Sequence, residues 1–125
     1  MGRNEIKESG VGSPESGVKS PDLRVGSLEV DQVNIREDSW IARIAAKKLK
    51  SSTAAIVIGN TIYLHNTTKT DFLLNERWVK HELCHIAQFR QYGTFNFIVM
   101  YLWESLKNGY FKNKFEEAAR KAEFL

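Results

Sequence analysis

The stretch VKHELCHIAQF, residues 79 to 89, places two histidines four positions apart, with a glutamate directly after the first. Four residues are slightly more than one helical turn, so on a helix the imidazoles of His81 and His85 can reach one metal ion. Glu82 would lie near a water on that ion and could take its proton. The spacing predicts a metal site suited to hydrolysis. The alternative is two histidines that share a helix face without an ion.

A helix over residues 76 to 92 is the element that must carry this motif. Asn75 is a suitable N-cap residue, and Gly93 stands where a glycine commonly ends a helix. Leu74 and Val79 have the spacing of a hydrophobic staple. We therefore expect about four and a half turns, at 3.6 residues per turn.

The remaining elements follow from similar signals. Ser39 can cap a first helix, and the run AAIVIGNTIYLHN predicts two strands around a Gly59-Asn60 turn. Thr94 and Asn113 can cap two further helices near the C-terminus. The fold class is therefore α+β: one domain with an N-terminal helix, a small sheet, the motif helix and two C-terminal helices.

Two histidines leave a zinc site incomplete, because zinc in hydrolases normally has three protein ligands and one open position. The candidates for the third ligand are His65, Glu116 and Glu117. Glu116 also has a role without metal, since its spacing from Asn113 fits a capping box and its spacing from Arg120 fits an ion pair. The residues alone leave the third ligand open.

Three motifs carry a resemblance to a known family. HELCH followed about 30 residues later by FEEAAR resembles the gluzincin branch of the zinc metallopeptidases, including the single-domain minigluzincins. GNTIYL, HELCHIAQ and GYFKNKFE also resemble motifs of small uncharacterised bacterial metallopeptidase-like domains. The resemblance covers residues 40 to 125.

The resemblance implies a zincin-like fold and hydrolysis of peptide bonds in a peptide or protein substrate. It implies that Zn2+ is held by His81, His85 and Glu116. Glu82 would be the general base, and Tyr110, in the loop before the last helix, would stabilise the oxyanion. Tyr110 has an alternative as a packing residue of that loop.

The resemblance also gives a role to the strand at residues 61 to 65. In zincins the edge strand above the cleft pairs with an extended substrate, which would place Asn60 and Tyr63 near the substrate.

The chain departs from the family pattern at one position. In several gluzincins the ligand glutamate opens an E-x-x-A-D pattern, but this chain has Arg120 where that pattern has an acid. Either another carboxylate, such as Glu123 or Glu117, then orients a histidine ligand, or the site is looser. This departure and the short chain favour the alternative of a latent or non-catalytic zinc-bound module that binds an extended peptide or partner protein.

The composition of the whole chain indicates the kind of protein that carries these residues. The chain has 125 residues, 42% of them hydrophobic and 26% charged, which is typical of one globular domain. Residues 1 to 30 hold both prolines and no aromatic residue, which predicts a flexible tail before a domain of residues 31 to 125. The boundary is expected between Leu28 and Asn34.

Charge and hydropathy restrict the partners and the location. The net charge of +3 comes from interleaved acids and bases, so no nucleic-acid partner is expected. The apolar run at residues 95 to 103 is far shorter than the ~20 residues that span a bilayer. It predicts a buried helix, with a dimer contact, a lid or a membrane-surface patch as alternatives.

Cys84 is expected to be a buried packing thiol. No secretory signal is visible, which makes a cytoplasmic location the default expectation.

Overall fold

The structure, a computed structural model, describes residues 23 to 125. The predicted tail up to residue 22 lies outside the described residues. The described part is a small α+β domain with two sheets and five α-helices. The elements are β1 Arg24–Val25, β2 Leu28–Glu29, β3 Asn34–Arg36, α1 Trp40–Leu49, β4 Ala54–Ile58, β5 Thr61–His65, α2 Lys69–Leu74, α3 Glu76–Tyr92, α4 Thr94–Asn108 and α5 Lys114–Ala122.

The larger sheet has the strand order β3-β5-β4. The predicted strand pair is confirmed: β4 and β5 are antiparallel, with Ala54 opposite His65, and turn at Gly59, which has a positive φ of 64°. β3 adds to β5 in parallel and was not predicted, because three residues are too short for a visible alternation. The prediction that residues 61 to 65 form an edge strand is therefore wrong. β5 is central, and β4 is an edge.

Part of the predicted tail belongs to the domain. β1 and β2 form an antiparallel hairpin, and Leu23, Leu28 and Val30 are buried in the core. The domain boundary predicted between Leu28 and Asn34 is therefore too late. Short strands among glycines and serines show little periodicity. The composition of residues 1 to 30 therefore predicts a tail, although this segment contains a few apolar residues that are buried.

α3 is the central element of the domain. Its buried face includes Val79, Leu83 and Ile86, each with 0% exposure. The helix begins as predicted, because the Asn75 side chain accepts a hydrogen bond from the backbone N–H of Trp78, and it ends at Gly93. α2, which precedes it, was not predicted; its first turn is capped by a threonine hydroxyl. α3 therefore holds the motif on a rigid, buried support.

α4 differs from its prediction in two ways. Gly93 occupies the N-cap position and Thr94 is the first helical residue, so the predicted Thr94 cap is wrong. Only Phe97 and Glu104 of this helix are buried, so the prediction of a buried helix is also wrong. No helix of residues 23 to 125 is long and apolar enough to cross a membrane.

Asn113 joins α4 to α5. Its side-chain oxygen accepts from the backbone N–H of Phe115 at 2.8 Å, which confirms the predicted cap. Its amide nitrogen donates to the Tyr101 carbonyl at 3.1 Å and to the Ser105 hydroxyl at 2.8 Å. Since Asn113 is fully buried, these bonds fix where α5 begins and hence where Glu116 lies.

Candidate metal centre

Three predicted ligands meet between α3 and α5. His81 Nε2 lies 3.1 Å from Glu116 Oε1, and His85 Nε2 lies 3.2 Å from the same oxygen. All three donor atoms lie within 4.8 Å of one another. Within residues 23 to 125 this is the group of side chains that could hold a metal ion; it includes neither His65 nor Glu117, and Glu117 is exposed. The structure thus favours Glu116 over both alternatives.

The Nδ1 atom of each imidazole lies within hydrogen-bond distance of a side-chain oxygen. His81 Nδ1 lies 2.8 Å from Glu123 Oε2, and His85 Nδ1 lies 2.9 Å from Gln88 Oε1. Such acceptors hold the proton of Nδ1, so Nε2 is the nitrogen that faces Glu116 and would bind a metal ion. The Nε2 atoms point to one place, which is the arrangement that a shared ion requires.

Glu123 has the orienting role that the sequence left to Glu123 or Glu117. Gln88 has the same role for His85 and was not predicted, although its spacing of three residues places it on the neighbouring turn. Its Nε2 donates to the Phe115 carbonyl at 3.1 Å, so Oε1 must face the imidazole. The Phe115 carbonyl of α5 therefore fixes the orientation of the Gln88 amide, and this amide orients His85 of α3.

The three side chains form a compact group of opposite charges. Although burial opposes the charged form of His81, the hydrogen bond to Glu116 and the nearby carboxylates raise its pKa to about 9. The pKa of His85 is raised as well, against the effect of its burial. Burial also opposes ionisation of Glu116, yet hydrogen bonds from both histidines hold its pKa well below its usual range. The Glu116 carboxylate is thus a buried anion that the charged imidazoles of His81 and His85 stabilise.

Glu82 lies beside this group without being part of it. Its side chain is buried, with 6% exposure, and Oε2 accepts a hydrogen bond from Trp78 Nε1 at 3.1 Å. Burial raises the pKa of Glu82 despite the two histidine charges. A raised pKa suits a carboxylate that must accept and return a proton near neutral pH. The role of Glu82 as general base stays a prediction.

Two tyrosines adjoin the cluster. Tyr110 is partly exposed and lines the cleft, as predicted, and burial together with the charges of Glu116 and Glu82 raises its pKa. Its hydroxyl therefore remains a donor. Tyr101 was missed: its hydroxyl donates to Glu116 Oε2, the oxygen that faces away from the histidines. Residue spacing within the HELCH motif could not indicate this contact, because Tyr101 lies on α4 and the motif lies on α3.

The local alternatives for Glu116 are not realised. Asn113 caps α5 without a bond from Glu116, so no capping box forms. The guanidinium of Arg120 donates to the Phe111 carbonyl and lies 4.3 Å from the Phe111 ring centre. Arg120 therefore fastens the loop before α5 instead of pairing with Glu116.

Cys84 is partly buried and lies between the two histidines in sequence. Its Sγ accepts from Gln88 Nε2 at 3.7 Å. Burial, followed by the charges of Glu116 and Glu82, raises its pKa to about 11. The thiol is therefore protonated near neutral pH, and Cys84 is not part of the group formed by His81, His85 and Glu116.

A groove along β4 opens onto the cluster. One cavity of about 460 Å³ is bounded by α1, β4 and α4 and reaches the three ligands. A second cavity, of about 540 Å³, continues past Thr53 and Ala54 to His81 and Glu123. The cluster thus lies where the apolar and polar parts of one groove meet.

The strand order removes the basis for the predicted substrate contacts of Asn60 and Tyr63, because β5 is not the edge strand. Neither residue lines these cavities. Asn60 accepts a hydrogen bond from Arg90 at 2.8 Å, and Tyr63 pairs with Ile56 and Arg36 inside the sheet. The groove runs along β4 and not along β5.

No protein-family model, curated protein or solved structure matches this chain. The function is therefore inferred from the residues and geometry of the site.

Proposed function

We propose that this protein is a zinc-dependent hydrolase of peptide bonds with the zincin-like arrangement of the gluzincins. The supporting observation is the convergence of two Nε2 atoms on one carboxylate oxygen, with each Nδ1 held by an acceptor. Two histidines and one carboxylate form a three-ligand set, which is characteristic of catalytic zinc rather than of closed structural sites. The imidazoles favour zinc over magnesium or calcium.

Each residue has a defined task in this proposal. His81, His85 and Glu116 would hold Zn2+, which supplies Lewis acidity and a water of lowered pKa. Glu82 accepts the proton of the attacking water and passes it to the leaving amine, and the Trp78 indole fixes the orientation of its carboxylate. Tyr110 donates its hydroxyl hydrogen to the oxyanion.

The groove favours an extended peptide as substrate. Among residues 23 to 125, β4 pairs with β5 alone, so in this part of the chain its other edge has main-chain groups available for an added strand. This edge borders both cavities, and the cluster lies between them. A peptide paired with β4 would pass the ligands with its backbone, which is the part that is cleaved.

Metal stoichiometry and hydrolysis test the proposal together. Purified wild-type protein and Glu117→Ala should each contain one zinc ion, and Glu116→Ala should have lost most of it. Glu82→Gln should retain zinc and lose cleavage of a peptide identified from a proteome-derived library. Absence of zinc from the wild type, or full activity of Glu82→Gln, would refute the mechanism.

A zinc-bound module without catalysis is the second candidate. One observation favours it: all three ligands come from α3 and α5, so an ion would join two packed helices directly. In that case chelation should lower the melting temperature strongly, while the zinc-bound protein cleaves no peptide in the library.

A further inference from the structure

The solvent side of α4 is an apolar stripe. Its exposed apolar residues follow the spacing i, i+3, i+4, i+7, i+8 and i+11, which places them on one side of the helix. They are Phe95, Ile98, Val99, Leu102, Trp103 and Leu106. Leu106 is 79% exposed and Phe95 77% exposed. A small water-soluble domain rarely exposes so continuous an apolar surface unless something binds there.

α1 extends this surface across the groove. Trp40 and Ile44, four residues apart, are both more than half exposed. Leu49 of α1 and Ile98 and Leu102 of α4 line the same cavity. One exposed apolar residue of α1, Leu49, and two of α4, Ile98 and Leu102, therefore border the opening that leads to the metal centre.

The exposed charges of these two helices are all positive. α1 contains Arg43, Lys47 and Lys48 and no acidic residue, and α4 contains Lys107 and one acid, Glu104. Glu104 is buried, where its carboxylate accepts hydrogen bonds from the Asn108 side chain and from a main-chain N–H of α5. We call the exposed residues of α1 and α4 together the basic apolar face.

We propose that the basic apolar face binds an anionic phospholipid surface, with the groove opening toward the lipid. Tryptophan, phenylalanine and leucine next to lysine and arginine are the composition of interfacial membrane-binding helices. Apolar side chains enter the headgroup region, and the bases pair with lipid phosphates. A second copy of the chain fits less well, because a symmetric contact would place lysines against lysines.

This proposal goes beyond the proposed hydrolysis and does not depend on it. Its consequence for substrates rests on the proposed hydrolysis: together, the two proposals place the cleaved peptide segments at a membrane surface. Vesicle binding and zinc content are separate measurements, so either proposal can fail without the other.

Vesicle co-sedimentation tests the face directly. Zinc-loaded protein is mixed with vesicles of phosphatidylcholine alone or of phosphatidylcholine and phosphatidylserine in equal amounts, at low and high salt. We expect binding to the anionic vesicles that weakens with salt, and weak binding to phosphatidylcholine. The double variant Arg43→Gln/Lys47→Gln should lose roughly fivefold in affinity per residue. Trp103→Gln/Leu106→Gln should lose roughly tenfold or more.

Matched controls lie outside this face. Leu74→Gln removes a leucine of α2 that is 75% exposed, close to the exposure of Leu106. Arg36→Gln/Lys121→Gln removes two exposed charges from β3 and α5. Both controls should bind vesicles as the wild type does, and the circular dichroism spectrum and melting temperature of every variant should be close to those of the wild type, which shows that they fold.

Three results would overturn the proposal. The first is no binding to either kind of vesicle. The second is undiminished binding by Trp103→Gln/Leu106→Gln. The third is a concentration-dependent dimer, measured by sedimentation velocity, that Trp103→Gln/Leu106→Gln abolishes, because a second copy would then cover the face.

Discussion

Removing the Glu123 carboxylate tests whether the orientation of His81 determines metal affinity. Glu123 Oε2 lies 2.8 Å from His81 Nδ1, and both side chains are mostly buried. Loss of such a partner of a metal-bound histidine typically weakens binding by roughly 10- to 100-fold. We therefore expect Glu123→Ala to cost about 1.4 to 2.7 kcal/mol of zinc binding free energy. Glu123→Gln should lose less, because its amide oxygen can still accept from Nδ1.

Competition against a chromophoric zinc chelator at neutral pH measures this change. Two control variants distinguish loss of the contact between Glu123 and His81 from a general effect of removing a charge. Glu117→Ala removes an exposed carboxylate from the same helix and should leave the affinity unchanged. Arg77→Ala removes the other partner of Glu123, 3.2 Å away, and should change zinc affinity less than threefold, an order-of-magnitude estimate for an exposed ion pair. Wild-type affinity of Glu123→Ala, or equal losses for Arg77→Ala and Glu123→Ala, would refute the reasoning.

Three further predictions concern the base, the α4–α5 junction and pH. Glu82→Gln should retain zinc affinity and lower kcat by at least about 100-fold, measured on a cleaved peptide. Asn113→Ala removes a buried cap and two donated hydrogen bonds, so it should lower the free energy of unfolding by about 2 to 4 kcal/mol in urea titrations. The raised pKa of His81 stabilises the metal-free protein fully below its unfolded value of 6.5, and this contribution disappears as the pH rises through about 9. The melting temperature in chelator should therefore fall between pH 6.5 and 9.

Each of these predictions has a result that contradicts it. A Glu82→Gln variant that loses zinc would show that Glu82 holds the site together instead of moving protons. Unchanged stability of Asn113→Ala would show that the junction is held by other contacts. For the pH dependence, His81→Gln should flatten the melting profile; a profile as steep as that of the wild type would assign the effect to other groups.

The candidate site was predictable where it depends on neighbours in sequence. The cap at Asn75, the end at Gly93 and the four-residue spacing of His81 and His85 all act within a few turns of α3. Helix geometry alone therefore places both imidazoles on one face. The cap at Asn113 was predictable for the same reason.

The sheet and the exposed face were not predictable in this way. β3 is three residues long and pairs with a strand that follows it by more than twenty residues, so its position depends on the packing of the whole domain. That pairing makes β5 central and moves the groove to β4. The apolar run of α4 did not decide between burial and exposure, because apolarity shows that a surface is suited to burial and not whether the same chain buries it.

The sequence by itself determined the motif helix and the pair of histidines, since hydrogen bonds and side-chain spacing within a helix involve residues only a few positions apart. The tertiary structure decided which carboxylate completes the site. Capping and ion-pair spacings within α5 gave Glu116 a possible role without metal and left the third ligand open. The junction at Asn113 turns Glu116 toward the histidines and Glu117 toward solvent. Tyr101 and Gln88 have their roles for the same reason: each depends on contacts between helices that only the folded chain brings together.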